Sequence, residues 1–312
     1  MNVRRMLLVG IVAVVAIIAI ALLVLLPYRP VIVEGNAPVE ELVGDDAASE
    51  MQLHVFNTGW ARMSWFLVGD ARPWRGVPSY VIEHPEYGLI VYDPGMPESV
   101  VSEGSSAFGM PLSFLMEAWA SEESLLIAQM IEANLSPDDV SLVIISHAHP
   151  DHYGQLEQFP NAHYISGSDT DELPTEWGLE DVWVVENFEN SFASGPFDTV
   201  TNLSADASIQ LVAGGGHTAE DIMLLLNMPS GTLLLAGDAI VHRDWLYSDD
   251  VQRIPTNPDR AADVRNQVRY FLDNQPGAAV FYGHDMDLAN CNITGVLCHT
   301  DFFNLPADVT GT

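Results

Sequence analysis

Val143-Ile144-Ile145-Ser146-His147-Ala148-His149-Pro150-Asp151-His152 runs an apolar strand straight into a cluster of ligand-type side chains. Three large aliphatic residues in a row read as a buried strand. Pro150 has no N–H to give a ladder, so the chain must leave the sheet here. Three imidazoles and a carboxylate within six residues can then converge on a metal ion, since both groups are good ligands for Zn²⁺ and similar cations. A chance cluster of histidines on a surface loop is the plainer reading, and the apolar strand before it argues against that.

Three further segments supply what the cluster lacks. Ala213-Gly214-Gly215-Gly216-His217-Thr218 places a histidine on a glycine-rich turn. Leu233-Leu234-Leu235-Ala236-Gly237-Asp238 places a carboxylate at the end of an apolar strand, and Phe281-Tyr282-Gly283-His284-Asp285 places a histidine after another. Each is weak alone, because a single histidine is more often structural. Together they agree, since ligand sites of open α/β sheets sit at strand ends. The other apolar runs fit strands at 51–57, 79–83, 88–92, 182–185 and 222–227. Helices are expected over about 112–134, just after His152, and over 258–274. This alternation favours an α/β fold.

The order HxHxDH, GHT, GD, GHD resembles the metallo-β-lactamase superfamily over about residues 51–290, and more narrowly its N-acyl-homoserine lactonase branch. His54-Val55-Phe56-Asn57-Thr58-Gly59-Trp60, Ser79–Pro85, Val91–Met96 and Phe159–Ala162 support the narrower likeness. The resemblance implies an αββα sandwich and two divalent cations per chain, Zn²⁺ by default, with Fe or Mn also suited to such ligands. It gives His147, His149 and His217 to one cation and Asp151, His152 and His284 to the other, with Asp238 between them. Asp93 would orient a ligand histidine by accepting its free N–H. Two such cations would share a water, lower its pKa and polarise the substrate carbonyl, with Asp151 or Asp238 shuttling the proton. The expected reaction is hydrolysis of a lactone or other ester with an apolar tail. One position departs from the lactonase pattern, in which a tyrosine lies three residues after the bridging aspartate. Here that position is Val241. Thioester, phosphodiester or sulfate-ester hydrolysis on the same fold therefore stays open, as does a binding domain with a degenerate site.

Aromatic residues near these motifs are candidates for the substrate pocket: Trp60, Phe108, Phe114 and Tyr282. The stretch 97–120 reads either as a helix with a buried apolar face or as a hydrophobic flap over a cleft.

Outside the core, Met6 to Leu26 is apolar except for Gly10 and follows Arg4 and Arg5. At about 1.5 Å per residue it can cross a ~30 Å hydrocarbon layer, with the arginine end cytoplasmic. Residues 1–27 thus read as a membrane anchor, 28–50 as an acidic linker and 51–312 as an extracytoplasmic catalytic domain. A cleaved signal peptide is the rival, although its apolar region is usually shorter. Cys291 and Cys298 are the only cysteines and can pair in an oxidising compartment. The chain carries 43 acidic against 11 basic residues, every basic one an arginine, for a net charge of −32. Such a field repels phosphate backbones, so no nucleic-acid partner is expected. It also suits a salty medium.

Overall fold

The computed structural model describes residues 51–64, 73–167, 173–248, 256–286, 288–307 and 309. The expected anchor (1–27) and linker (28–50) lie outside these residues. Among the described residues no helix is long and apolar enough to cross a membrane.

The first sheet contains β1 (Gln52–Met63), β2 (Arg75–His84), β3 (Gly88–Tyr92), β4 (Met116–Trp119), β5 (Val140–Ile145), β6 (His163–Ser166) and β7 (Trp183–Val185). The second contains β8 (Phe192–Ser194), β9 (Phe197–Asn202), β10 (Ile209–Ala213), β11 (Ile222–Met228), β12 (Gly231–Leu235) and β13 (Ala279–Phe281). A last strand, β14 (Val296–Cys298), returns to the first sheet. Its order is β14-β1-β2-β3-β5-β6-β7, with β4 on the far half of β1, and the second sheet runs β13-β12-β11-β10-β9-β8. Strands β3, β5, β6 and β7 are parallel, as are β12 and β13.

The two sheets face one another across Leu53, Val55, Ile82, Ile90 and Ile144 on one side and Leu211, Leu224, Leu226 and Leu235 on the other. Each such side chain contributes roughly 1.5–3 kcal/mol by leaving water. Strand β11 is buried along its whole length, because its two faces meet different cores. Its outward residues Met223 and Leu225 pack with Val264, Val268 and Phe271 of α7 (Pro258–Asn274). On the other flank, α3 (Leu126–Glu132) sets Leu126 and Met130 against Val81, Val91 and Val143. The layers are therefore α, β, β, α.

Helix α7 spans the expected 258–274. Asn257 caps it by accepting Arg260 N at 3.1 Å, and Pro258 opens its first turn. The expected helix over 112–134 is not continuous. It divides into α2 (Leu112–Leu115), strand β4, and α3. The reason is β1, which runs to Met63 and whose far half needs a partner; Met116–Trp119 supply it in antiparallel register. Ser121 and Ser124 then cap each other reciprocally and restart the chain. The stretch 97–120 is accordingly neither a single packed helix nor wholly exposed. It comprises α1 (Ser99–Glu103), a 3₁₀ turn, α2 and β4, with Phe108 buried and Met110 and Phe114 exposed. The helix expected after His152 begins earlier and is one turn long, α4 (Pro150–Tyr153); α5 (Leu173–Trp177) and α6 (Arg243–Leu246) are similarly short.

Candidate metal centre

At one edge of the sandwich, the ends of β3, β5, β12 and β13 meet the turn between β10 and β11. Tyr92 Oη–H donates to Ile222 O at 2.7 Å, and Ile222 N donates to Ser146 O at 2.8 Å. These bonds tie the two sheets together where the loops that bear the candidate ligands leave.

After β5, Ser146 turns the chain outward. Asp93, just past β3, holds that turn: Ser146 N and Oγ–H donate to it at 2.7 and 2.8 Å. His152 Nδ1–H donates to the same carboxylate at 2.8 Å. Asp93 has φ 55°, an unusual value for a non-glycine residue, accepted here by a residue with three fixed donors around it. Because Ser146 spends its proton on Asp93, its oxygen accepts from His147 Nδ1 at 2.9 Å. His147 and His152 therefore both turn Nε2 inward. His284 is set the same way, its Nδ1–H donating to Gly76 O at 2.9 Å.

The histidine of the glycine-rich turn is held from α7. Arg260 donates through Nε to Gly214 O and through a terminal nitrogen to Ala213 O, each at 2.8 Å. Gly216 has φ 106°, and a Cβ there would lie 2.5 Å from Ala261 N, so only glycine fits. The side-chain hydroxyl of Thr218 donates to Asp221 at 2.6 Å and closes the turn around His217.

His147, His149, His217 and Asp238 form one group, and Asp151, His152 and His284 another; within each, one ligand atom per residue lies within 4.8 Å of all the others. His147 Nε2 is 2.8 Å and His217 Nε2 3.1 Å from His149 Nδ1. Asp238 stands between the groups. Its Oδ2 is 3.3 Å from His217 and 3.4 Å from His284, and its Oδ1 is 3.6 Å from His152. Metal–nitrogen bonds of about 2.0–2.1 Å put neighbouring donors of a tetrahedral site roughly 3.3 Å apart, so these spacings fit. The donor chemistry fits as well. His152 Nε2 is fully buried with no hydrogen-bond partner, a cost that a coordinated cation in place of the ring proton would relieve.

Burial, reinforced by its histidine neighbours, pushes His147 well below the usual imidazole value; burial and His217 push His149 down to about 4. Both are neutral near pH 7 and able to bind metal. The second group behaves oppositely. Burial opposes the charge on His152, yet the Asp238, Asp93 and Asp151 carboxylates win and raise it to about 10. His284 is also raised against burial, by Asp238 and Asp151. Asp238 lies well below the usual carboxylate range, because His284, His152 and His217 outweigh its burial.

The aromatic candidates are not gathered into one patch. Trp60 is buried in β1 opposite Trp119, its indole N–H without a partner. Phe108 packs with Val77 and Met96, while Tyr282 packs under α7. Phe114 is 62% exposed. Two supporting residues were given no role by the sequence, although Asp285 closes the GHD motif. Gly76 acts only through its carbonyl. Asp285 receives a two-pronged ion pair from Arg243, at 2.6 and 2.9 Å, which joins the loop after β12 to the one after β13. Among the remaining histidines, His84 bonds Ser208 at 3.0 Å. His299 Nε2 meets His54 Nδ1 at 3.0 Å.

The family model of the metallo-β-lactamase superfamily matches residues 72–284. The chain belongs to that superfamily. It is a metal-dependent hydrolase related to the N-acyl homoserine lactonases. AttM of Azorhizobium caulinodans, an N-acyl homoserine lactonase, is 27% identical over 222 residues, 68% of this chain and 82% of that protein. A Bacillus thuringiensis AiiA variant, solved with N-decanoyl-L-homoserine at its active site, superposes with a TM-score of 0.61 at 21% identity, over 75% of this chain and 93% of that one. AidC, a dizinc quorum-quenching lactonase, superposes with a TM-score of 0.52 at 16% identity, over 77% and 89%.

Proposed function

We propose that the chain hydrolyses a lactone or another carboxylic ester with an apolar acyl part. The observation that carries this reading is the meeting of two ligand groups on one shared carboxylate, Asp238. His147, His149 and His217 would hold one divalent cation and Asp151, His152 and His284 the other, both next to Asp238. A bound pair of this kind supplies an acidified water and Lewis-acid polarisation of the carbonyl. Asp93 and Gly76 fix the ring orientations of His147, His152 and His284, so the donors are in place before substrate arrives. Asp151, buried and 3.6 Å from His284 Nε2, is placed to take up the proton and return it to the leaving oxygen. The similarity to AttM supports a lactone, and Val241 in place of the lactonase tyrosine leaves room for a different ester.

The test is turnover by the purified, metal-loaded chain. The panel holds an acyl-homoserine lactone, a γ-lactone, an aryl ester, a thioester and a bis-aryl phosphodiester, with Asp238→Ala as control. Lactone or ester hydrolysis that vanishes in the control supports the reading. Phosphodiester or thioester turnover alone replaces it with another hydrolysis on the same fold.

We further propose that the chain is membrane-anchored through residues 6–26, with the domain on the extracytoplasmic side. The apolar run and the paired Cys291 and Cys298 support this. The domain would then lie on the periplasmic or extracellular side: protease added to cells stripped of their outer envelope, with the plasma membrane intact, should digest it, and full protection would refute the placement.

A further inference from the structure

The C-terminal segment, 288–307, supplies none of the seven ligands, yet it reaches one of them through a single buried side chain. Strand β1 departs from regular pairing with β2 between Asn57 and Trp60. Side chains replace the missing ladder there. Asn57 Oδ1 accepts Val77 N at 2.8 Å, and Thr58 Oγ1–H donates to Val77 O at 2.9 Å. Val77 is thus held on both sides, and the residue before it, Gly76, is the one whose carbonyl accepts His284 Nδ1–H.

Asn57 is fully buried, and its other side-chain atom faces the tail: Nδ2 donates to Phe302 O at 2.6 Å. The tail is pinned to β1 by more than that bond. Strand β14 runs parallel to β1, His299 N donates to Val55 O at 3.0 Å, and Phe303 is buried in the core between the sheets. The Cys291–Cys298 disulfide closes the chain that leads from His284 into this strand. Gly76 is closely covered: a Cβ there would come 2.5 Å from Cγ of Met286, two residues past His284, and would have to displace that side chain.

We infer that Asn57 is a positioning residue for the second cation. It transmits the fixed place of the disulfide-closed C-terminal segment, through Val77 and Gly76, to the orientation of His284. The inference rests on the two-cation reading. Asn57 touches neither substrate nor ligand atoms, so its removal should change the affinity of one cation and leave the other alone.

The experiment is zinc stoichiometry and affinity by chelator competition on the full chain, with the unfolding midpoint of the metal-free protein measured beside it. The wild type must first hold two zinc ions; if it does not, the two-cation reading itself fails. Three variants follow: Asn57→Ala, the pair Cys291→Ser with Cys298→Ser, and Ser124→Ala. Ser124 bonds Thr58 O on the far side of the same irregularity and serves as the structural control. Supporting outcome: Asn57→Ala binds the weaker zinc about 10–100-fold less tightly, as removal of an outer support does. The cysteine pair shifts in the same direction, the first zinc is unchanged, and Ser124→Ala lowers only the midpoint. If Asn57→Ala fails to fold, the cysteine pair decides. Two zinc ions at wild-type affinity in the variants, or equal weakening of both ions, overturns the inference.

Discussion

Asp93 satisfies three donors at once, and that defines what an amide in its place would do. In Asp93→Asn one side-chain atom becomes a donor and must face Ser146 or His152, both already donating. The His152 ring loses its anchor, so zinc affinity should fall about 10–100-fold, read by competition with a chelator. Protons provide a second test at this scale. His152 is raised to about 10, above the ordinary 6.5 of an unfolded chain. Its protonated form therefore stabilises the metal-free protein fully below about pH 6.5, and that contribution is lost as pH rises through about 10. A cation must displace this proton, and the one on His284, whereas His147 and His149 are already neutral. At pH 7 the first zinc should bind with little proton release and the second with clear release. Calorimetric titration in two buffers of different ionisation heat measures this, and release confined to the first zinc would contradict it. The side chains that the fold gathers at the candidate centre were legible in the sequence, because each follows an apolar strand or a glycine turn. Their supports were less so. Asp93 could be placed only by family likeness, and Gly76 not at all, since a carbonyl leaves no mark in a sequence.

At the scale of elements, the strands that end in candidate ligands were the readable ones. An unbroken aliphatic run that stops at a histidine or an aspartate marks both a buried strand and the polar loop it opens onto. β4 was hidden. Leu112 to Trp119 carries apolar residues at helical spacing, and only the length of β1 decides that Met116–Trp119 is extended. Two elements meet most tightly at Gly283, where the end of β13 passes the loop after β12. A Cβ at Gly283 would sit 2.0 Å from Asp238 Oδ1, and the rest of its surroundings is Gly237 backbone, which cannot yield. Gly283→Ala should therefore displace the carboxylate shared by both groups, so that the variant no longer holds two zinc ions. A variant that holds two zinc ions would show that the loops can separate. Farther out, Phe271 of α7 is buried against Phe197 at 5.7 Å between ring centroids. Phe271→Ala should cost about 3–5 kcal/mol of unfolding free energy, visible as a lower denaturant midpoint. Zinc stoichiometry of the folded fraction should stay at the wild-type value, because α7 supports the site through Arg260 at its other end.

For the whole molecule, 43 acidic residues against 11 arginines mean that folding gathers like charge faster than ion pairs can absorb it. Self-repulsion of this kind destabilises the compact state, and salt relieves it. The screening length is about 10 Å at 0.1 M salt and about 3 Å at 1 M, so most of the relief should come over the first few tenths molar. The thermal midpoint should climb steeply there and then flatten. A midpoint that does not move from low to molar salt would mean the charges are too far apart, or too well hydrated, to oppose folding. Zinc should act separately. At the candidate centre it would sit among groups of which five are buried and His149 and His217 partly so, so added salt should screen it little, and its stabilisation should grow with free zinc as mass action requires. The salt curves with and without zinc should thus run parallel, the loaded one higher. Convergence at high salt would imply that zinc stabilises by cancelling surface charge, which the buried position of Asp238 and its histidines argues against.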